Sequence, residues 1–364
     1  MTRRSPVTVE ILGAGGAAMA AARVLAHHGI PASISAGAMR PGPQLLLNRA
    51  TLQLIEDLFG CNTALLRQGT AIRGRLVCWD AAAADPELVI SPALSISSAG
   101  LYQVLLKALR SRAAKGLIRF TKESPSSTKA AWTVDARGRS VSQRQAVPIG
   151  KRIAMSCNVR LSAEADPSLC AVETVKHGWL FLLPCGDKRA VVQAFVPSPS
   201  ECGDQGMPLA DSRLVGRLIA ALEGEPSVLP CTPQLRPKLA APAWLAAGDA
   251  ALCFDPLCGD GVGQGLRNGL LAAAVIGAIE RGEPQQACLS HYAYRLHRAM
   301  LAHLRATIMF YQSASPGIWR EEIASADQAI GRIAYGELAR GALGGIKYRL
   351  EGLSLVCAPA PGRR

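Results

Sequence analysis

Aromatic residues make up only 5% of the 364-residue chain, and just nine lysines stand among its 40 basic residues. So few rings make the stacking platforms of single-strand nucleic-acid binders hard to assemble. The 27 acidic residues are outnumbered, leaving a formal charge of +13. Yet the positives are scattered singly or in pairs, mostly as arginine, and no run of five basic residues exists. The densest group, Lys107 to Lys115 with Arg110 and Arg112, shares a helical stretch with Leu105, Leu106 and Leu109 and reads as a solvated helix face. Nucleic acid is therefore not an expected partner, whereas dispersed positive charge is compatible with an acidic protein.

Metal-ligand spacing is also missing. The 11 cysteines are spread from Cys61 to Cys357 with no C-x-x-C pair, so neither a zinc site nor a disulfide framework is expected. Unpatterned cysteines suit a reducing compartment, and the cytoplasm is the expected location. His291, His297 and His303 are six apart, about 240° around a helix, which is the wrong spacing for ligands on one face. No uncharged apolar stretch reaches the length of a membrane span, so no stable membrane insertion is expected. Arg3 and Arg4 before an Ala-rich stretch imitate a secretory signal, but Glu10 interrupts the would-be apolar core. No solenoid-period repeat is visible. Ser95 to Ser98 lack the G-x-S-x-G context of a hydrolase nucleophile.

What is present is apolar bulk, 49% of the chain against 18% charged. At 38.3 kDa this is enough for one large α/β unit or two domains folded into each other. Val7 to Leu12 reads as a strand, Gly13-Ala14-Gly15-Gly16-Ala17-Ala18 opens a helix of small residues to about His28, and Pro31 to Ser35 reads as a second strand. This order and length are those expected of a βαβ dinucleotide-binding unit, and a tight βαβ packing turn without ligand has the same pattern. In it Gly13 permits the tight turn, Gly15 lets backbone approach a pyrophosphate at the helix N-terminus, and Ala18 allows close packing. The carboxylate that would bind ribose hydroxyls at the end of the second strand is replaced by Ala36.

Farther along, Leu45 to Leu58 and Leu101 to Ala114 have helical spacing, and Ala131 to Asp135 reads as a strand. From Ile153 to Val196 short alternating segments predict an antiparallel sheet, followed by a turn-rich loop over Ser198 to Pro208. Helical pattern returns over Arg213 to Leu222 and from Gly265 almost to the end. The most informative stretch is Trp244 to Gly263: strand, Gly248-Asp249, loop, Asp255-Pro256, then Gly259-x-Gly261 and a helix from about Gln264. A glycine-lined turn before a helix presents bare N–H groups and the positive end of a dipole, which favours an anionic or electron-rich ligand. Asp249 can accept hydrogen bonds from a polyol. Asp255 and Asp260 could serve as bases, but acids in a tight loop more often cap local N–H groups, and that reading is preferred.

Gly248-Asp249-Ala250-Ala251 with Asp255-Pro256 and Gly259-x-Gly261 resembles the second flavin motif of FAD-dependent monooxygenases of the hydroxylase fold. The opening G-x-G-x-x-A resembles that family's first motif, Asp135-Ala136-Arg137-Gly138-Arg139 its central D-A-x-G-R element, and Gly178 to Pro184 the G-W-x-W-x-I-P box of its tryptophan-halogenase-like branch. That branch also holds flavoproteins that modify Trp residues of quinone-cofactor amine oxidases and dehydrogenases. Met309-Phe310-Tyr311 and Trp319 are similar to it as well, so the likeness spans residues 7 to 320.

The resemblance implies an α/β fold, a Rossmann-like FAD-binding domain interleaved with an antiparallel substrate sheet and C-terminal helices. It divides the chain into residues 1–160, with a substrate-side insertion at about 61–97, then 161–235, 236–290 and 291–364. Gly13, Gly15, Gly16 and Ala18 would cradle the FAD pyrophosphate, with Arg139, Gly248 and Asp249 nearby. Pro256, Gly259, Gly261 and Val262 would line the isoalloxazine, and Trp179 and Phe181 would face the substrate cavity. Without the resemblance, those two aromatics read equally well as core. The implied activity is hydroxylation of an electron-rich aromatic group, with NADH or NADPH as reductant, extending by analogy to a Trp side chain on an acidic partner. There are departures. Ala36 replaces the ribose acid, Ala99 or a neighbour stands where an Arg is usual, and no lysine precedes Lys107, where halogenases need one. Halogenation is therefore not expected. Two other readings are an FAD-dependent prenyl or geranylgeranyl-type reductase and a degenerate flavoprotein fold acting as a maturation or binding partner. No residue is singled out as catalytic.

Overall fold

The computed structural model describes residues 7–35, 42–79, 85–111, 116–121, 130–139, 145–197, 207–314, 317–339 and 348–358. Ala36, Lys115 and most of the Ser198 to Pro208 loop lie outside them. Seven helices of seven residues or more are described: α1 (Gly16–His27), α2 (Arg49–Phe59), α3 (Asn62–Gln68), α4 (Ser98–Ser111), α5 (Gly261–Glu280), α6 (Gln285–Ala314) and α7 (Arg320–Ala339).

Val9–Leu12 pairs in parallel with Ala32–Ser35 on one side and Trp132–Asp135 on the other. Ile118–Thr121 and Trp244–Ala246 extend this sheet in parallel at either end, and Ala240–Ala241 adds one antiparallel edge. Such a sheet needs both faces covered. α1 and α5 supply much of that cover, as shown by the unbroken run of buried residues from Leu270 to Ala278. α5 is long and apolar enough to cross a membrane, and 72% of its most apolar window is buried inside the fold.

A second sheet of nine strands runs, in order, through 219–222, 153–161, 189–196, 178–186, 169–175, 70–78, 87–97 and 44–48, with 227–230 beside the second of these. All pairs are antiparallel except Leu169–Val175 with Thr70–Cys78. It has its own apolar layer around Val159, Leu182, Val192 and Val215. The chain is thus an α/β fold in which a parallel, Rossmann-like sheet alternates along the sequence with an antiparallel one.

Three expected helical stretches change on folding. Leu45 to Leu58 divides into a strand, Gln44–Asn48, and α2. The three consecutive leucines complete the edge of the nine-stranded sheet against Ala93 to Ser97, and the Asn48 side chain accepts the Thr51 N–H at 2.8 Å to start the helix. Arg213 to Leu222 becomes a 3₁₀ turn at Val215–Leu218 and a strand, Ile219–Leu222, because the strand at Asn158 to Leu161 recruits its second half. The C-terminal helices end at Ala339, and Tyr348–Glu351 with Ser354–Cys357 forms a hairpin. The helix expected from about Gln264 starts earlier, at Gly261.

Candidate active site

The two glycine motifs meet. α1 follows the strand Val9–Leu12, and Gly13 makes the turn with φ +102°, a backbone that L side chains rarely adopt. A Cβ here would also collide with the Ala136 carbonyl, so Gly13 is what lets the D-A-x-G-R segment lie against the first motif. α5 packs parallel to α1: Gly269 lies on the Ala17 backbone and Gly277 on His28. At their N-terminal ends a Cβ on Gly248 would come within 2.8 Å of the Ala17 Cβ, and one on Gly16 within 3.5 Å of Leu266. Ala18 is fully buried beneath this contact. The first turn of α1 thereby packs against the N-terminal half of α5, both helices pointing positive dipole ends the same way.

Around that convergence the surface is open. Gly15, the N-cap of α1, Gly259, and Gly261 at the first turn of α5 have nothing within 4 Å of where a Cβ would be. Val262 follows, half-buried. Asp249 is solvent-accessible, yet the protein around it desolvates its carboxyl and raises its pKa, with the Arg139 guanidinium opposing. Cys258, beside Gly259, shows the same pairing of an accessible side chain with a thiol pushed up by desolvation. A group that is both accessible and enclosed lines a cleft. Arg139 is fixed by donating to the Thr232 carbonyl at 2.8 Å. Asp135 of the same segment is fully buried. Burial would raise its pKa, but paired hydrogen bonds from Arg137 at 2.9 Å and one from Arg236 at 2.9 Å outweigh it and hold it below the usual range.

The remaining expected residues lie on the other sheet. Trp179 stacks on its cross-strand partner Phe195 at 3.9 Å and is 3% exposed. Phe181, two residues on and on the same face, is half-buried. Three of the five tryptophans gather here, since Trp79 lies 6.1 Å from Trp179 and Trp319 stacks on Tyr311 at 4.0 Å. Trp79 also donates to the Phe310 carbonyl at 3.2 Å, tying the sheet to the end of α6. A chain poor in rings has concentrated them at one place. Trp179 sits in the core, as its bare reading allowed, while Phe181 and Trp79 form the partly open side of the cluster.

A buried polar set joins this cluster to the turn at Pro256. Asp255 caps the turn by accepting the Leu257 N–H at 2.8 Å, as expected of an acid in a tight loop, but it also accepts from Tyr311 at 2.8 Å and pairs with Arg152. Asp260 departs from that expectation: its side chain makes no cap hydrogen bond and instead accepts from Thr51 at 2.8 Å and Asn48 at 3.1 Å and pairs with Arg267. Arg152 and Glu322 carried no sequence signal, because nothing in a local pattern distinguishes a buried arginine from the many solvated ones. The three histidines of α6 are all buried and separate: His297 bonds Glu337 at 2.5 Å, His303 accepts the Asp255 N–H at 2.8 Å, and His291 packs edge-on to Tyr348.

The geometry fits a dinucleotide. Two parallel helix N-termini, uncovered glycine backbone and an accessible carboxylate suit a pyrophosphate and a polyol better than a metal or an acyl group. The fold is similar to that of solved flavin-dependent hydroxylases and halogenases. No family model matches the chain, and no curated protein matches its sequence. Among solved structures, the peptidyl tryptophan dihydroxylase QhpG, described as essential for tryptophylquinone cofactor biogenesis, aligns with 22% identity and a TM-score of 0.71, covering 89% of this chain and 79% of its own. The flavin-dependent halogenase CmlS aligns with 17% identity and a TM-score of 0.75 over 97% and 84% of the two chains. PqsL from Pseudomonas aeruginosa, a probable FAD-dependent monooxygenase, aligns with 15% identity and a TM-score of 0.65 over 88% and 99%.

Proposed function

We propose that the chain is an FAD-dependent monooxygenase-like oxidoreductase that hydroxylates an electron-rich aromatic group, with NADH or NADPH as reductant. The observation that carries this reading is the pair of parallel helix N-termini whose glycines Gly15, Gly259 and Gly261 have open space around them, with the accessible Asp249 in the adjoining motif. Gly13, Gly15 and Gly16 would hold the pyrophosphate, Ala18 keeping α1 close to the sheet, while Arg139, Gly248 and Asp249 hold the ribityl region. Pro256, Gly259, Gly261 and Val262 would lie along the ring system, the α5 dipole favouring negative charge there. Bound FAD would supply the oxygen chemistry. The chain's part is to orient the substrate and exclude water, and Phe181 and Trp79, backed by the buried Trp179, would provide an apolar wall for a flat ring.

Oxygenation is favoured over halogenation because no lysine precedes Lys107. The likeness to QhpG, whose described substrate is a peptidyl tryptophan, supports a Trp side chain on a partner polypeptide as substrate, and the +13 charge suits an acidic partner. Purification with FAD tests the reading. A yellow protein with one FAD per chain and NAD(P)H-dependent O2 uptake is the expected result. A colourless protein that FAD titration cannot turn yellow overturns it and leaves a binding role, and turnover of a prenyl substrate without O2 would make it a reductase.

A further inference from the structure

The turn that follows Asp255 is anchored from beneath by side chains outside both glycine motifs. Asp255 is fully buried. One carboxylate oxygen accepts the Leu257 N–H, and the other accepts the Tyr311 hydroxyl at 2.8 Å and pairs with Arg152 Nη1. Its backbone N–H donates to His303 Nε2 at 2.8 Å. Arg152 is 1% exposed and turns its other edge to Glu322 of α7, Nε to Oε2 at 2.7 Å, with Nη2 2.6 Å from the same oxygen. The second Glu322 oxygen accepts the Lys151 N–H at 2.6 Å. Two helices and the segment entering Ile153–Leu161 thus converge on one carboxylate.

Stability alone does not call for such a set, because well-packed apolar residues of similar volume commonly stabilise as well as a buried ion pair. What charge and hydrogen bonding add is direction. A guanidinium held by Glu322 and a hydroxyl held by the Tyr311–Trp319 stack leave the Asp255 carboxylate one orientation, and Asp255 in turn caps Leu257.

We propose that Arg152, oriented by Glu322 of α7 and assisted by Tyr311 of α6, is the positioning residue for the Asp255–Gly259 turn, locking that turn in the one conformation it presents to the cleft. What the turn binds rests on the flavin reading above; the lock itself does not. Cys258, the accessible thiol on the turn, reports on it directly, and Cys357, also exposed, lies outside the network and serves as reference. Surrounding protein desolvates the Cys258 thiol and raises its pKa, so a loosened turn rehydrates it and speeds its reaction.

The experiment is alkylation by N-ethylmaleimide, with rates read at each cysteine by peptide mass spectrometry, in the wild type, Tyr311→Phe and Glu322→Gln. Tyr311→Phe removes a single hydroxyl and carries the test if Glu322→Gln fails to fold. The expected result is about fivefold or greater acceleration at Cys258 with Cys357 unchanged and a cooperative melting transition retained. Unchanged Cys258 rates in folded variants overturn the lock. Adding FAD to the wild type separates the two ideas. Protection of Cys258 without acceleration in the variants keeps the flavin and removes the lock, and acceleration without protection does the reverse.

Discussion

Glu173 and Asp255 are both buried carboxylates, and they are satisfied in opposite ways. Glu173, in the nine-stranded sheet, accepts three consecutive backbone N–H groups, Arg213 at 2.6 Å, Leu214 at 3.1 Å and Val215 at 2.8 Å, and the Ser212 hydroxyl at 2.5 Å. No side-chain cation contacts it among the described residues. It is an anchor for one turn, built almost wholly from main chain. Asp255 instead draws on Arg152, Tyr311 and, through Arg152, Glu322, side chains far apart in sequence. A main-chain nest fixes its own loop, whereas a side-chain network ties the cleft to helices that carry the aromatic cluster. The first is architecture, and the second can relay a change from one region to another.

Arg152→Met leaves two buried carboxylates, Asp255 and Glu322, without their cation. A loss of about 3–5 kcal/mol in urea unfolding is expected. Glu173→Gln puts an amide NH2 where N–H groups already point, costing about 2–3 kcal/mol through two or more lost hydrogen bonds. If the two losses were equal, the distinction between ionic network and main-chain nest would carry no energetic weight.

His303 sharpens the Asp255 side further. Burial, with Arg152 adding repulsion, lowers its pKa to about 3, so it stays neutral in the fold. Below pH 6.5 the unfolded chain binds a proton that the folded chain does not, and stability therefore falls as pH drops from 6.5 toward 3. The slope from this residue is about 1.4 kcal/mol per pH unit. His303→Gln should flatten that part of the stability profile measured by thermal melts from pH 7 to 4. His291, held at about 4 by burial, contributes the same sign and should be left intact by the change.

The smallest effect is expected at Asp249. Its raised carboxyl pKa means the folded chain binds its proton more readily than the unfolded one, so its ionisation weakens the fold above that pKa. Asp249→Asn should leave the melting temperature at pH 7 equal or slightly higher while weakening FAD binding in a fluorescence titration. Loss of both together would assign Asp249 to the scaffold instead.

Much of the parallel-sheet half was legible because its signals are local. A strand, a glycine turn and a helix of small residues within about thirty positions can form only a few arrangements, and Gly13 through Ala18 and Gly248 through Gly261 were marked by type and spacing. The antiparallel half was legible as alternating strands, but edges were not. Leu45 to Leu47 and Ile219 to Leu222 carry apolar runs that either period accommodates, and strand partners far away in sequence decided them. The Arg152 network was illegible for a different reason. Burial of a charge is a property of its surroundings, and Asp255, Tyr311 and Glu322 are brought to Arg152 only by packing of α6 and α7 against the sheets.

By itself the sequence determined the α/β class, the order of the glycine motifs and the scarcity of rings and lysines, because each follows from residue type at short spacing. Only the tertiary structure decided that the two motifs meet, that three of the five tryptophans gather in one cluster, and that one of many dispersed arginines becomes the buried cation beneath the Asp255–Gly259 turn. Those outcomes depend on contacts between residues a hundred or more apart, and no local pattern encodes the burial that gives them their energy.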